Sequence, residues 1–182
     1  MKLKLQNFYK LLVRPTVVVS TISPRGVSNA APFSWNSPMA TKPKPLFGFC
    51  SNVNHDTWRN IKENKEFVAN LVGEDFGPLM EIMEKDFPYE VSEIEECGLT
   101  EVKSNHIKPP RIREAYGWLE CKMTSYISIS ERNVWIIGEV LEVDVKDEAL
   151  DEVVDVAKVK PLNHIWGEAF VTDMKITRFK RA

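Results

Sequence analysis

Cysteine is scarce in this 182-residue chain: Cys50, Cys97 and Cys121 are odd in number, far apart and in no CxxC pair. That excludes a disulfide framework and a dithiol redox motif, and predicts three small buried hydrophobes in a reducing compartment. No GxGxxG, P-loop or GxSxG pattern occurs, so a Rossmann site for a tightly held nicotinamide is not expected. The three histidines, His55, His106 and His164, are scattered without HxH or HExxH spacing, and no metal site is expected from them. No stretch approaches the roughly 20 apolar residues that span a bilayer. Met1 to Tyr9 lacks the apolar core of a signal peptide, so the expected location is the cytoplasm. Charge of one sign is missing too. The 24 basic and 26 acidic side chains leave a net charge of −2, which argues against a nucleic-acid or anionic-membrane surface. Internal repeats, low-complexity tracts and linkers are absent. Residues 1–182, with 43% hydrophobic and 27% charged residues, therefore read as a single globular domain with room for a core.

What is present is organised around Arg14 to Leu71. Val17 to Ile22 is a β-branched run of strand length. Ser23-Pro24-Arg25-Gly26 makes a turn, with Pro24 presetting φ and Gly26 suited to its end. The chain returns through Val27 to Phe33, so the first unit is a hairpin. Asn29 to Asn36 mixes small, polar and aromatic side chains where a core strand would be uniformly apolar. Small residues let a flat ligand approach the backbone, whose polar groups can bond its edge. Leu46 to Cys50 is a short apolar strand leading into Ser51-Asn52-Val53-Asn54-His55-Asp56-Thr57, which opens a helix over Thr57 to Asn64. A helix start carries orphan N–H donors and partial positive charge, and hydroxyl and amide side chains beside it suit a phosphate. A flat-ring surface and a phosphate site joined by one strand point to a flavin mononucleotide (FMN) pocket.

Further along, Pro38 to Pro45 is expected to be a loop, and Glu66 to Val72 another strand. Phe76, Leu79, Met80 and Met83 fall at i, i+3, i+4 and i+7, the pattern of a short amphipathic helix. Asp86 to Arg113 is irregular: either a functional lid or interface arm, or a packed surface connection. Leu119 to Ile129 and Trp135 to Val143 are long strands joined tightly at Glu131-Arg132-Asn133, hence an antiparallel hairpin. Leu150 to Lys158 reads as a short helix and Val171 to Phe179 as a final strand with a basic end. Many antiparallel strands and few short helices indicate a mainly β protein, a small barrel.

The ordered series R-P-x-x-x-V-S-T-x-S-P-x-G-x-x-N-x-A-P-F-S from Arg14, then H-D-T-x-x-N-I from His55, resembles the flavin reductase-like proteins, including flavoredoxin. The likeness continues through Glu66 to Leu71, Lys85-Asp86-Phe87-Pro88, Glu96 to Thr100, Lys108 to Arg111, Gly138-Glu139-Val140 and Pro161-Leu162. His55 stands where relatives often have lysine. Asn163 to Gly167 stands where many have a glycine pair and a tyrosine. The resemblance implies an FMN-binding split barrel of Greek-key antiparallel strands. Asn29 to Ser37 would line the ring and ribityl chain, which brings in Asn29, Ser34, Trp35, Asn36 and Ser37, with Thr21 on the preceding strand. Ser51, Asn52, His55 and Thr57 would surround the phosphate, with Asp56 capping the helix and Lys85 a second phosphate partner. His164, beside Trp166, would reach the flavin from the carboxyl-terminal region.

The expected function is FMN-dependent oxidoreduction, with NADH or NADPH as a transient electron donor stacking on the flavin. Because the flavin carries the chemistry, no catalytic side chain is required. The resemblance also implies a homodimer with each flavin near the interface. A flavoredoxin-type electron carrier without nicotinamide turnover is the alternative. A split-barrel binding protein without a redox role and a pyridoxamine-phosphate-oxidase-like relative stay open as well.

Overall fold

The computed structural model describes residues 1–180. A 3-10 segment over Leu5–Leu11 precedes β1 (Arg14–Pro15), β2 (Val17–Ile22), β3 (Ser28–Phe33), β4 (Asn36–Ala40) and β5 (Leu46–Asn52). Next come α1 (Asp56–Asn64), β6 (Glu66–Leu71), α2 (Met80–Met83) and α3 (Glu93–Glu96). The short strands β7 (Glu101–Val102) and β8 (Arg111–Ile112) lead to the long hairpin of β9 (Gly117–Ser128) and β10 (Asn133–Val145). The chain closes with α4 (Val156–Val159), β11 (Asn163–Trp166) and β12 (Ala169–Val171).

Seven strands form one antiparallel sheet in the order β3-β2-β6-β9-β10-β5-β4. Its two end strands are consecutive in the chain, and Cys50 N–H donates to Trp35 C=O (2.8 Å) where the sheet turns back on itself. This is the split-barrel fold. β1, β11 and β12 make a separate three-stranded sheet.

The run Val17-Val18-Val19 is apolar throughout because β2 is covered on both faces. Val17 and Val19 enter the barrel core with Phe33, Phe49, Phe67 and Ile136. Val18 joins an outer core of Phe76, Met80, Met83, Ile94 and Leu162. Each fully buried aromatic or branched side chain there contributes about 2 kcal/mol. At the bulge in β10, a Cβ on Gly138 would sit 2.7 Å from the Phe67 ring, so only glycine lets that ring fill the barrel. The opening turn closes as expected, with Gly26 at φ +86° and Ser23 Oγ accepting from Val27 N–H (3.0 Å).

Several local expectations are corrected. Pro38 to Ala40 lies in strand β4 rather than a loop; β4 is an end strand, where a missing N–H breaks no ladder. The helix expected over Leu150 to Lys158 is only α4, started by Asp155, whose carboxylate accepts from Ala157 and Lys158 N–H. The final strand stops at Val171, where its pairing with Asn163 ends, and Thr172 to Lys180 runs on without a ladder. Phe76 to Met83 begins as a 3-10 helix because Pro78 interrupts it, and becomes α-helical from Met80. Of the cysteines only Cys121 is buried; Cys50 and Cys97 are half-buried.

Candidate functional site

β3 is an end strand, so one row of its backbone groups is not used by β2. Ala30 N–H points to that free side and donates to the Glu93 carboxylate (3.2 Å). Alternate residues of a strand share this direction, which places Pro32 on the same row, where its missing N–H costs no ladder bond. The free edge therefore offers carbonyl acceptors and almost no donors. Beside it opens a cavity of about 790 Å³, lined by Asn29, Ala31, Pro32 and Phe33 from β3. Asn52, Asn54, His55 and Asp56 at the start of α1 and the segment Met83 to Glu93 form its other walls.

The start of α1 has no side-chain cap. His55 is the capping residue, in extended conformation, and its side chain accepts no bond from the helix. Asp56, expected to cap, is instead the first helical residue. The first-turn N–H groups are left for an outside acceptor, together with the positive end of the helix dipole. The preceding turn is held by Asn52, whose Oδ1 accepts from Asn54 N–H (3.0 Å).

The cavity walls carry four carboxylates, Asp56, Glu84, Asp86 and Glu93, against Lys85 and His55. Burial pulls the His55 imidazole below its ordinary pKa, with Asp56 and Asp86 pushing the other way. Burial raises the Asp56 carboxyl, opposed by Arg59 and reinforced by Asp86. Glu93 is buried without a cation, and desolvation raises its carboxyl although Ala30 and Asn29 donate to it. Both carboxyls therefore hold their protons more tightly than a free side chain does.

The sequence-derived residues fall into three places. Asn29, Asn52, His55 and Lys85 line the cavity. Thr21 and Thr57 lie beneath it, fully buried, and both hydroxyls donate to Asn29 Oδ1 (3.2 and 3.1 Å). The Asn29 amide in turn donates to both Glu93 oxygens (3.0 Å each). The Thr57 hydroxyl, expected to donate to the phosphate, is thus turned to Asn29 beneath the cavity. Ser51 is likewise buried, its hydroxyl donating to Asn52 C=O (3.2 Å). Ser34, Trp35 and His164 gather beyond the far end of β3, where Ser34 Oγ lies 3.3 Å from His164 Nδ1. Asn36 ties the corner by donating to Pro15 and Phe33 carbonyls (2.8 and 2.9 Å), and the Ser37 hydroxyl donates to Pro38 C=O (3.0 Å).

Sequence reasoning missed Glu93 and Tyr89. Tyr89 lies in the cavity wall, donates to Asn60 Oδ1 (2.6 Å), and is covered by the Arg59 guanidinium 3.7 Å from its ring centre. Asn60 donates to Thr21 Oγ1 (3.0 Å), so one buried chain of bonds links the wall segment, α1, β2 and β3. The irregularity of Asp86 to Arg113 was the available signal. That excursion divides in two: its first part walls the cavity. Its second part is pinned to the barrel by Asn70, which accepts from Ile112 N–H (2.8 Å), and by Arg111 on Glu120 (2.7 Å).

Comparison with known proteins accords with this arrangement. An uncharacterized protein of Aquifex aeolicus (strain VF5) is 38% identical over 176 residues, covering 91% of this chain and 89% of its own. The structure of the 2-nitrobenzoate 2-nitroreductase NbaA of Pseudomonas fluorescens is 29% identical and superposes with a TM-score of 0.85, over 98% of this chain and 93% of that one. The flavoredoxin of Desulfovibrio vulgaris (Miyazaki F) has the same fold at 20% identity, with a TM-score of 0.84 over 98% of both chains. The model of the flavin reductase like domain matches residues 9–169, from the 3-10 segment through the barrel to β12. Because that match spans nearly the whole chain, the chain belongs to the flavin reductase-like family.

Proposed function

We propose that the chain binds FMN in the cavity between β3 and α1 and acts as an NAD(P)H-dependent flavin oxidoreductase. The observation that carries this reading is the uncapped start of α1 at one end of a cavity whose floor is an acceptor-rich strand edge. The residues fit the group. The free first-turn N–H groups and Lys85 suit a phosphate, and the small side chain of Ala31 lets a flat ring approach the β3 backbone. A volume of about 790 Å³ is within the usual range for a ligand of this size. When bound, the flavin supplies two-electron chemistry, taking hydride from a reduced nicotinamide and passing electrons to an acceptor. The protein's own part is to hold the anion at α1, to orient the ring along β3, and to keep Asn29 fixed from below through Thr21 and Thr57.

The chain works as a homodimer in this reading. Leu5, Phe8 and Leu11 share one stripe of the 3-10 segment, 89%, 57% and 73% exposed, and Tyr126, Ile127, Ile129 and Val143 are exposed on the β9–β10 hairpin. Apolar surface of this extent suits a second copy. A flavoredoxin-type carrier without nicotinamide turnover is the second reading. One experiment separates them. The purified protein, supplied with FMN, is titrated without air by NADH and then NADPH while the flavin absorbance is followed. Bleaching by either donor is expected. A chain that takes up no FMN overturns the whole reading, and a flavin reduced by dithionite alone selects the carrier.

A further inference from the structure

Beyond the ring end of the cavity, the structure gathers aromatic and cationic side chains that the flavin site does not use. Phe33 lines the cavity, and Ser34, the next residue, already touches His164. Trp35 and Trp166 follow, 47% and 49% exposed. Tyr9 stands between them, its ring centre 6.3 Å from Trp35 and 5.4 Å from Trp166. Lys10 Nζ lies 4.2 Å from the Trp166 ring centre. Arg14 rivets the group by donating to Ile165 C=O (2.6 Å) and Tyr9 C=O (3.4 Å), while its buried Nε has no partner. Among the described residues neither Lys10 nor Arg14 is within ion-pair distance of a carboxylate.

Two half-exposed indoles and uncompensated cations make a shelf that complements flat rings joined by phosphates. Exposed indole faces stack heteroaromatic bases with little demand on their identity, and Lys10 and Arg14 set a positive field for a polyphosphate. The shelf starts one residue past the cavity, so a molecule lying on it reaches the ring end of the flavin site.

We propose that Tyr9, Lys10, Trp35, His164 and Trp166 form the docking shelf for the adenylate half of a nicotinamide dinucleotide, leaving its nicotinamide over the flavin cavity. This rests on the flavin reading above and adds where the second substrate lies. It also accounts for the missing Rossmann motif: a donor that leaves after each turnover needs a shallow shelf and no enclosed phosphate loop.

The test uses full-length protein loaded with FMN and titrated with oxidised NADP+ and NAD+, which bind without reacting. Binding is read by calorimetry and by quenching of tryptophan fluorescence. Trp166→Ala is expected to weaken dinucleotide binding about tenfold. Lys10→Glu is expected to weaken it further at low salt and to flatten its salt dependence. Unchanged dinucleotide affinity in both flavin-loaded variants overturns the shelf. So does Trp166→Ala turning a dimer into monomers, which would assign the patch to a second copy. Failure to take up FMN is a different result, read in the same preparation before any dinucleotide is added, and it sinks the flavin reading instead.

Discussion

Glu93 and Glu120 are both buried carboxylates, 7% and 0% exposed, and the fold treats them in opposite ways. Glu120, on β9, accepts from Asn105 and His106 N–H (2.8 Å each) and from Arg111 Nε (2.7 Å), and Asp144 and Glu142 complete the ring around the guanidinium. Its charge is matched by a cation and by directed donors, so it clasps the excursion at Ser104 to Ile112 onto the barrel. Glu93 has neutral donors alone and looks into the cavity. A buried charge without a counter-charge is costly. The matched carboxylate serves architecture. The unmatched one faces the cavity proposed to take the flavin.

The largest expected effect breaks the matched side. Arg111→Met leaves Glu120 buried and uncompensated, and should cost about 3–5 kcal/mol in urea denaturation. A loss under about 1 kcal/mol would show that the clasp does not depend on its cation.

The unmatched side gives a smaller effect with a distinctive pH signature. The Glu93 carboxyl is raised above its ordinary value, so its proton is held more tightly in the folded chain. Its contribution to stability is complete below the ordinary carboxylate pKa and is lost as pH rises through the raised one. Glu93→Gln should remove that slope and be the more stable protein at alkaline pH, as read by thermal denaturation between pH 5 and 9. Flavin affinity of the wild type should fall as pH rises through the raised Glu93 pKa, because a charged carboxylate then faces the cavity. Riboflavin, titrated in parallel by flavin fluorescence, separates this from ionisation of the FMN phosphate near pH 6. Equal slopes in wild type and Glu93→Gln would end the contrast.

Thr57→Val tests the support beneath the cavity. It removes one of two donors to Asn29 Oδ1 and should cost about 1 kcal/mol of stability. Thr57→Ser should restore most of it. The smallest effect belongs to the exposed pair of Arg25 and Glu90, 3.5 Å apart. Arg25→Gln should change stability by less than about 0.5 kcal/mol and lose even that in high salt. A larger cost would mean that surface pairing here resembles the Arg111 clasp.

Much of the barrel was legible in the residues themselves. The β-branched run at Val17, the Pro24–Gly26 turn and the long alternating hairpin at Leu119 to Val143 are local patterns, and local sterics write them into the chain. The misread segments share one cause. Pro38 could be a strand residue only because β4 lies at a sheet end, and Val171 to Phe179 could extend only as far as β11 gave it a partner; sequence does not carry the identity of neighbours. The site divides in the same way. Asn29 and Asn52 were legible as polar residues around a turn and a helix start, and His55 and Lys85 through the family resemblance. That Thr57 turns inward, and that Glu93 returns across the chain to face Asn29, depends on contacts 28 and 64 residues apart.

The amino-acid order alone determined the type of protein: an antiparallel barrel with an edge of small residues and a polar helix start, because strand, turn and helix preferences act over a few residues. Which side chains face the cavity, which carboxylate keeps its cation, and which aromatic groups meet across Tyr9 were decided only in three dimensions. Burial and hydrogen-bond direction depend on what packs against a residue, and that is set by parts of the chain far away in sequence.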